Sequence, residues 1–186
     1  MTNQSLHTVC EEARCPNIYE CWSRNTATIM ILGDTCTRSC GFCSVKTGRP
    51  LDIDVLEPFR TAQAVKKMNL KHVVITSVDR DDLTNDYGAE IWADTIMQIH
   101  STVPTCNVEV LTPDFRGYVP ALKKVFNAKP EIFSHNIECV ERISKAVRKQ
   151  SDWDRSKEVL RLSVEHELTT KTGMMVGLGE TDFEVF

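Results

Sequence analysis

Six of the eight cysteines fall within the first 43 residues, in two unequal triplets. Cys10, Cys15 and Cys21 follow a C-x4-C-x5-C spacing, and Cys36, Cys40 and Cys43 a C-x3-C-x2-C spacing. Disulfides consume cysteines in even numbers, and structural zinc takes four ligands, usually supplied as pairs. A four-iron cubane also has four corners, so three thiolates leave one iron for a different ligand. Two triplets therefore point to two clusters, each with one corner that cysteine does not fill. The competing chemistries are a zinc knuckle completed by a nearby histidine and cysteines that share no ligand. Cys106 and Cys139 stand in apolar stretches and read as buried free thiols.

The rest of the chain must position those thiols. Its 186 residues, 41% hydrophobic with a formal charge of −4, suit a water-exposed domain with a real core. No run of basic residues suggests a nucleic-acid surface. No apolar stretch approaches the roughly 20 residues of a membrane span. Met1–Ser5 lacks the basic start of a secretory signal. Residues 1–25 are polar, carry the first triplet and show little periodicity, so a loop-rich segment is expected there.

From Thr26 onward strands and helices alternate. Strands are predicted at 26–32, 72–76, 107–112, 131–134 and 170–176. Helices are predicted at 57–68, around Trp92, Ile96 and Ile99, around Leu122, Val125 and Phe126, and at 139–148 and 153–166. Such alternation means a parallel sheet under covering helices. Five such units without a glycine-rich dinucleotide turn favour a partial (β/α) barrel over an open sheet. In barrels chemistry gathers on the loops after the strand C-termini. The second triplet follows the first predicted strand. Thr76, Ser77, Asp79 and Arg80 follow the second, and Thr112 and Asp114 the third. His135, Asn136 and Glu138 follow the fourth, and Gly177, Gly179 and Glu180 the fifth. The expected class is thus α/β, with 1–25 as a cysteine-rich extension and 26–186 as an incomplete barrel.

The run Cys36-Thr-Arg-Ser-Cys40-Gly-Phe42-Cys43, placed after the first strand, resembles the signature of the radical S-adenosylmethionine (SAM) enzymes. That resemblance implies that Cys36, Cys40 and Cys43 hold three irons of a [4Fe-4S] cluster whose fourth iron is chelated by SAM. Phe42 would shield the cluster or stack on a ligand. Thr76, Ser77, Asn136, Glu138, Gly177, Gly179 and Glu180 would line the SAM pocket. The cofactor, not the protein, would carry the radical chemistry.

The first triplet, Cys10-Glu-Glu-Ala-Arg-Cys15-Pro-Asn-Ile-Tyr-Glu-Cys21, closely resembles the auxiliary-cluster motif of the lipoyl synthase family. The stretches 33–43, 45–50, 76–83, 109–115, 135–136 and 177–180 resemble that family as well. The resemblance implies radical insertion of two sulfur atoms at C6 and C8 of a protein-bound octanoyl-lysine. It also implies a second [4Fe-4S] cluster, held by Cys10, Cys15 and Cys21, as the sulfur source. No further catalytic side chain beyond the cluster ligands is implied. Implied partners are an octanoylated lipoyl-carrier domain or glycine cleavage H-type protein, and an electron donor such as ferredoxin or flavodoxin. Nucleic acid and membrane are not expected partners. The expected location is the cytoplasm or, for a eukaryotic source, the mitochondrial matrix.

The chain departs from the family pattern in that a sixth βα unit and a C-terminal segment are expected to be missing, the stretch before the first cysteine is short, and one auxiliary ligand has no match. The serine that the family uses as fourth auxiliary ligand lies in an Arg-Ser-Ser sequence. Here Ser156 follows an arginine but precedes Lys157. A truncated chain that holds the auxiliary cluster poorly is therefore expected. The alternatives are another sulfur-inserting radical SAM enzyme, such as a methylthiotransferase or biotin-synthase-like protein, and a non-catalytic zinc or iron–sulfur module.

Overall fold

The computed structural model of the chain describes residues 7–8 and 17–186. Cys10 and Cys15 lie outside the described residues. The main sheet has six strands in the order β1 (His7–Thr8), β2 (Thr26–Ile31), β5 (His72–Ser77), β6 (Asn107–Leu111), β7 (Ile132–Ser134) and β8 (Thr170–Lys171). β1 runs antiparallel to β2, and the remaining pairs are parallel. A small parallel pair, β3 (Thr35–Cys36) and β4 (Lys46–Thr47), brackets the second cysteine triplet. From β2 to β8 each parallel strand pairs with the next in sequence, the succession of a (β/α) barrel. The sheet stays open, because β1 and β8 are its edges.

Side chains on a strand alternate between faces. Register aligns Ile29, Ile75, Val110 and Phe133 across the sheet. All four are fully buried beneath the helices. α2 (Glu57–Lys67) contributes Ala62 and Val65 to that core. α3 (Ala89–Thr102) contributes Trp92, Ile96 and Ile99, the residues whose spacing predicted it. α4 (Val119–Asn127), with a proline in its first turn, contributes Leu122, Val125 and Phe126. α6 (Trp153–Glu165) starts at Asp152, whose carboxylate accepts the Arg155 N–H at 2.8 Å, and contributes Val159.

The opposite face of the sheet carries Thr28, Met30, Thr76, Glu109 and Leu111. Glu109 is buried there, yet it accepts from Lys171 Nζ at 2.7 Å and Ser134 Oγ at 3.1 Å. Burial pushes its carboxyl pKa up, but those donors and the Lys171 charge bring it below the ordinary value.

In the described part of residues 1–25, β1 edges the sheet and α1 (Ile18–Ser23) carries Cys21. One expectation is corrected. The fifth parallel strand was expected over 170–176 but pairs only at Thr170–Lys171, with one further bridge between Glu138 and Met174. Between the Ser134–Lys171 pair and that bridge, residues 135–137 face only 172–173, so the ladder falls out of step, and Glu138, where pairing resumes, takes a left-handed φ of 66°. Opposite the break, Gly173 lies against the Asn136 amide, where an added Cβ would meet Oδ1 at 2.8 Å.

The turn leaving β2 delivers the chain to the cysteine loop and is held by one buried carboxylate. Leu32 takes φ 66°, and its N–H donates to Glu57 Oε2 at 2.7 Å. Glu57→Ala leaves that N–H buried and unpaired, so a loss of about 2 kcal/mol is expected in denaturant unfolding. Glu57→Gln keeps a carbonyl acceptor and is expected to lose less. Equal losses in the two variants would contradict this account of the turn.

Candidate functional site

The loop 36–43 leaves β3 at the C-terminal end of the sheet and crosses the mouths of β5 and β6. One side chain inside it fixes its course. Arg38 is only 3% exposed and meets carboxylates from two different strand ends. Its Nε and one terminal nitrogen each donate to Asp81 at 2.8 Å. The same terminal nitrogen donates to Asp114 at 2.7 Å, and the other lies 3.2 Å from Asp79. Asp114, fully buried, also accepts from Arg155 Nε at 2.8 Å and from the Arg116 N–H at 3.0 Å.

A charge buried in this way is costly unless fully paired. Burial pushes the Asp114 carboxyl up, but Arg38 and then Arg155 overcome it and hold the group well below the usual carboxylate range. Burial works against the Arg38 charge too, and its three carboxylates more than offset that. Burial pushes Asp79 up to about 6 against the pull of Arg38, with the nearby Asp114 and Asp81 charges adding to the rise. Further backbone contacts fasten the loop. The Gly41 N–H donates to the Val147 carbonyl at 2.8 Å, and the Gly48 N–H to the Cys36 carbonyl at 3.0 Å.

Beneath the loop lies a cavity of about 370 Å³. Cys36, Cys40, Phe42 and Cys43 form one wall. Thr76, Ser77, Asn136 and Glu138, predicted as pocket residues, line the same cavity. Met30, Val45, Val78 and Leu111 give it apolar surface. The volume and the mix of apolar wall with a few polar groups suit a small-molecule ligand. Gly177, Gly179 and Glu180 are not among the lining residues. They form a separate turn in which the Glu180 carboxylate accepts the N–H groups of Gly177 and Leu178. Its two glycines take φ 98° and 106°, a backbone that favours glycine.

Cys36 and Cys40 are partly buried and Cys43 is exposed. Burial pushes the Cys36 and Cys40 thiols up, and at Cys40 the Arg148 charge pulls the other way. Among the described residues no three His, Cys, Asp or Glu side chains are already drawn around a metal-sized point. The three thiols nevertheless open on one cavity, and each turns about a single side-chain bond. Cys21, on α1, is not among the residues lining that cavity. Cys106 and Cys139 are buried, as expected of free thiols.

Two residues at the cavity escaped the sequence reading of pocket side chains. Arg148 is buried, donates through one terminal nitrogen to the Ile137 carbonyl at 3.0 Å, and leaves Nε without a partner. Nothing in its sequence neighbourhood marks it. It arrives because the chain turns back onto the cysteine loop directly after α5 (Glu141–Val147). His135 was noted for following a strand and for the family-like pair it makes with Asn136, not as a pocket residue. Its Nδ1 meets the Thr112 carbonyl at 2.8 Å, so Nδ1 is the donor. Burial lowers its pKa, which keeps the ring neutral and leaves the unpartnered Nε2 as a buried acceptor. A buried donor and a buried acceptor, both unmet, border one cavity.

Comparison with known proteins fits this geometry. Residues 30–185 match the radical SAM superfamily. Over its whole length the chain is 59% identical to a lipoyl synthase of Rubrobacter xylanophilus and 54% identical to one of Symbiobacterium thermophilum. It covers 58% of each of those proteins. A lipoyl synthase of Caldicellulosiruptor saccharolyticus is 52% identical over 97% of the chain, which spans 64% of it. The chain thus spans about three fifths of the length of these curated relatives. Among solved structures, methylornithine synthase PylB superposes with a TM-score of 0.64 at 12% identity, over 85% of this chain and 47% of that one. HydG, a maturase of the [FeFe]-hydrogenase, does so with 0.65 at 16% identity, over 86% of this chain and 37% of that one. These two likenesses speak to the fold. With the family match spanning nearly the whole barrel and the cysteine loop at its mouth, the chain belongs to the radical SAM superfamily.

Proposed function

We propose that this chain is the cluster-bearing core of a lipoyl synthase, with residues 1–25 as the auxiliary-cluster segment and 26–186 as the partial barrel. One observation carries the proposal: Cys36, Cys40 and Cys43 open on the same cavity as unmet polar atoms from two other elements. The donor set suits the expected group. Three soft thiolates favour iron–sulfur or zinc over hard cations. The unpaired Arg148 Nε calls for an acceptor, and the unpaired His135 Nε2 for a donor. SAM offers both, in its carboxylate and in its amino and hydroxyl groups.

When bound, the two clusters and SAM supply the electron, the hydrogen-abstracting 5′-deoxyadenosyl group and the sulfur that replaces hydrogen at C6 and C8. The chain's own residues do the holding. Cys36, Cys40 and Cys43 occupy three corners of the cluster at the barrel mouth, and Cys10, Cys15 and Cys21 hold the auxiliary one. Arg148 and His135 orient the polar end of the ligand. Thr76, Ser77, Asn136 and Glu138 line the same pocket, whereas the turn of Gly177, Gly179 and Glu180 stands apart from it. Met30, Val78, Leu111 and Phe42 exclude water, which protects a reactive species from side reactions.

The substrate is an octanoylated lipoyl-carrier domain or H-type protein, and a ferredoxin or flavodoxin supplies electrons. No helix among the described residues is long and apolar enough to cross a membrane. The cytoplasm is the proposed location.

The test is incubation of the anaerobically reconstituted whole protein with an octanoyl-lysine peptide, SAM and reductant. Lipoyl peptide together with 5′-deoxyadenosine is expected. SAM cleavage with no sulfur transferred would reject lipoyl synthesis and keep the superfamily assignment. A second reading rests on His135, since three cysteines and the free Nε2 make a Cys3His donor set for zinc. Protein prepared without oxygen that holds zinc and no iron would favour it.

A further inference from the structure

Cys36 is treated differently from the other two cysteines of its loop. Its Sγ receives two backbone donors, the Asp79 N–H at 3.3 Å and the Arg38 N–H at 3.4 Å. One belongs to the loop itself and the other to the end of β5. Both stay aimed at the sulfur only while the loop and that strand end are locked together.

The lock is visible in full. The Thr37 N–H and hydroxyl both donate to the Asp79 carbonyl, at 3.1 and 2.9 Å, and the hydroxyl accepts the Asp81 N–H at 3.1 Å. Around this clasp the Arg38 guanidinium ties together Asp79, Asp81 and Asp114. A planar fork can serve several carboxylates at once, which a lysine ammonium does not reproduce.

We propose that Arg38 is a positioning residue. By locking the cysteine loop to the β5 and β6 ends, it keeps two N–H donors on Cys36 Sγ and so raises the reduction potential of the cluster held there. Hydrogen bonds to the sulfurs are among the levers that set such potentials. N–H dipoles aimed at a sulfur favour the added electron. This inference rests on the proposed function, because it presumes a cluster on Cys36.

The experiment is a potentiometric titration followed by electron paramagnetic resonance (EPR). It uses the whole protein with Cys10, Cys15 and Cys21 changed to alanine, so that only the loop cluster contributes. Arg38→Gln and Arg38→Lys are both expected to load iron as the parent does, to titrate at lower potential and to show altered g values. Thr37→Val, which changes no charge, is expected to shift the potential in the same direction by less. An unmoved potential and spectrum in the loaded variants would overturn the proposal. So would full restoration by lysine, which would mean that charge alone matters. Should neither Arg38 variant fold, Thr37→Val decides, and an unchanged potential there overturns it. A parent protein without a four-iron signal contradicts the proposed function and this inference with it. A normal parent signal with unmoved variants contradicts only the role of Arg38.

Discussion

Changing any one of Cys36, Cys40 or Cys43 to alanine is expected to remove about four irons per chain, one whole cubane, and to abolish reductive SAM cleavage. The three positions differ in burial, from the partly enclosed Cys36 and Cys40 to the exposed Cys43. For a structural role, exposure would grade the losses, and Cys43→Ala would be nearly silent. For three corners of one cluster the losses are equal. Cys106→Ala serves as the control. Its thiol is buried in the core, so it is expected to lose about 1 kcal/mol of stability while iron content stays unchanged. Iron and sulfide analysis of the four proteins, with 5′-deoxyadenosine measured alongside, separates the two roles.

The second large effect concerns Asp114. This fully buried carboxylate is shared by Arg38 and Arg155, and its removal leaves buried positive charge short of a partner. Losses of that kind run to about 3–5 kcal/mol. Arg38 keeps Asp79 and Asp81, so Asp114→Asn is expected near the lower end, about 3 kcal/mol. For a chain of this length that means a fall of about 10 °C in Tm. The pH dependence follows from the direction of the shift. The folded pKa lies below the ordinary Asp value of 3.8, so the stabilisation is present above that value. It is lost as pH falls through the folded pKa. The parent is thus expected to weaken steeply in acid, and Asp114→Asn to weaken less steeply over the same range. Parallel acid limbs would contradict the pairing.

Much of the scaffold was legible because its signals are local. Trp92, Ile96 and Ile99 repeat at helical spacing and are buried on one helix face. The apolar run ending at Ile31 is a buried strand because both its faces are covered. What escaped depends on contacts between distant segments. β8 stops after two residues because residues 135–137, more than thirty positions away, face only 172–173 before pairing resumes at Glu138 and Met174. Arg148 reaches the cavity only because the chain after α5 folds back on Gly41.

The candidate site divides in the same way. The spacing of Cys36, Cys40 and Cys43 announced a shared ligand, and the pocket role of Thr76 and Ser77, at a strand end, came from the family resemblance. The buried state of Arg38 carries no local signal. A reader of the sequence sees an arginine in a polar loop and expects it in water. Only the fold brings Asp79, Asp81 and Asp114 around it.

The central claim is that the cysteine loop and the cavity beneath it hold a cluster on which SAM is cleaved. The most direct measurement adds SAM and then reductant to the anaerobically reconstituted chain, following the EPR spectrum and 5′-deoxyadenosine together. SAM is expected to shift the four-iron signal and 5′-deoxyadenosine to accumulate, with both responses lost in Cys40→Ala. A four-iron signal that ignores SAM, with no 5′-deoxyadenosine formed, would contradict it.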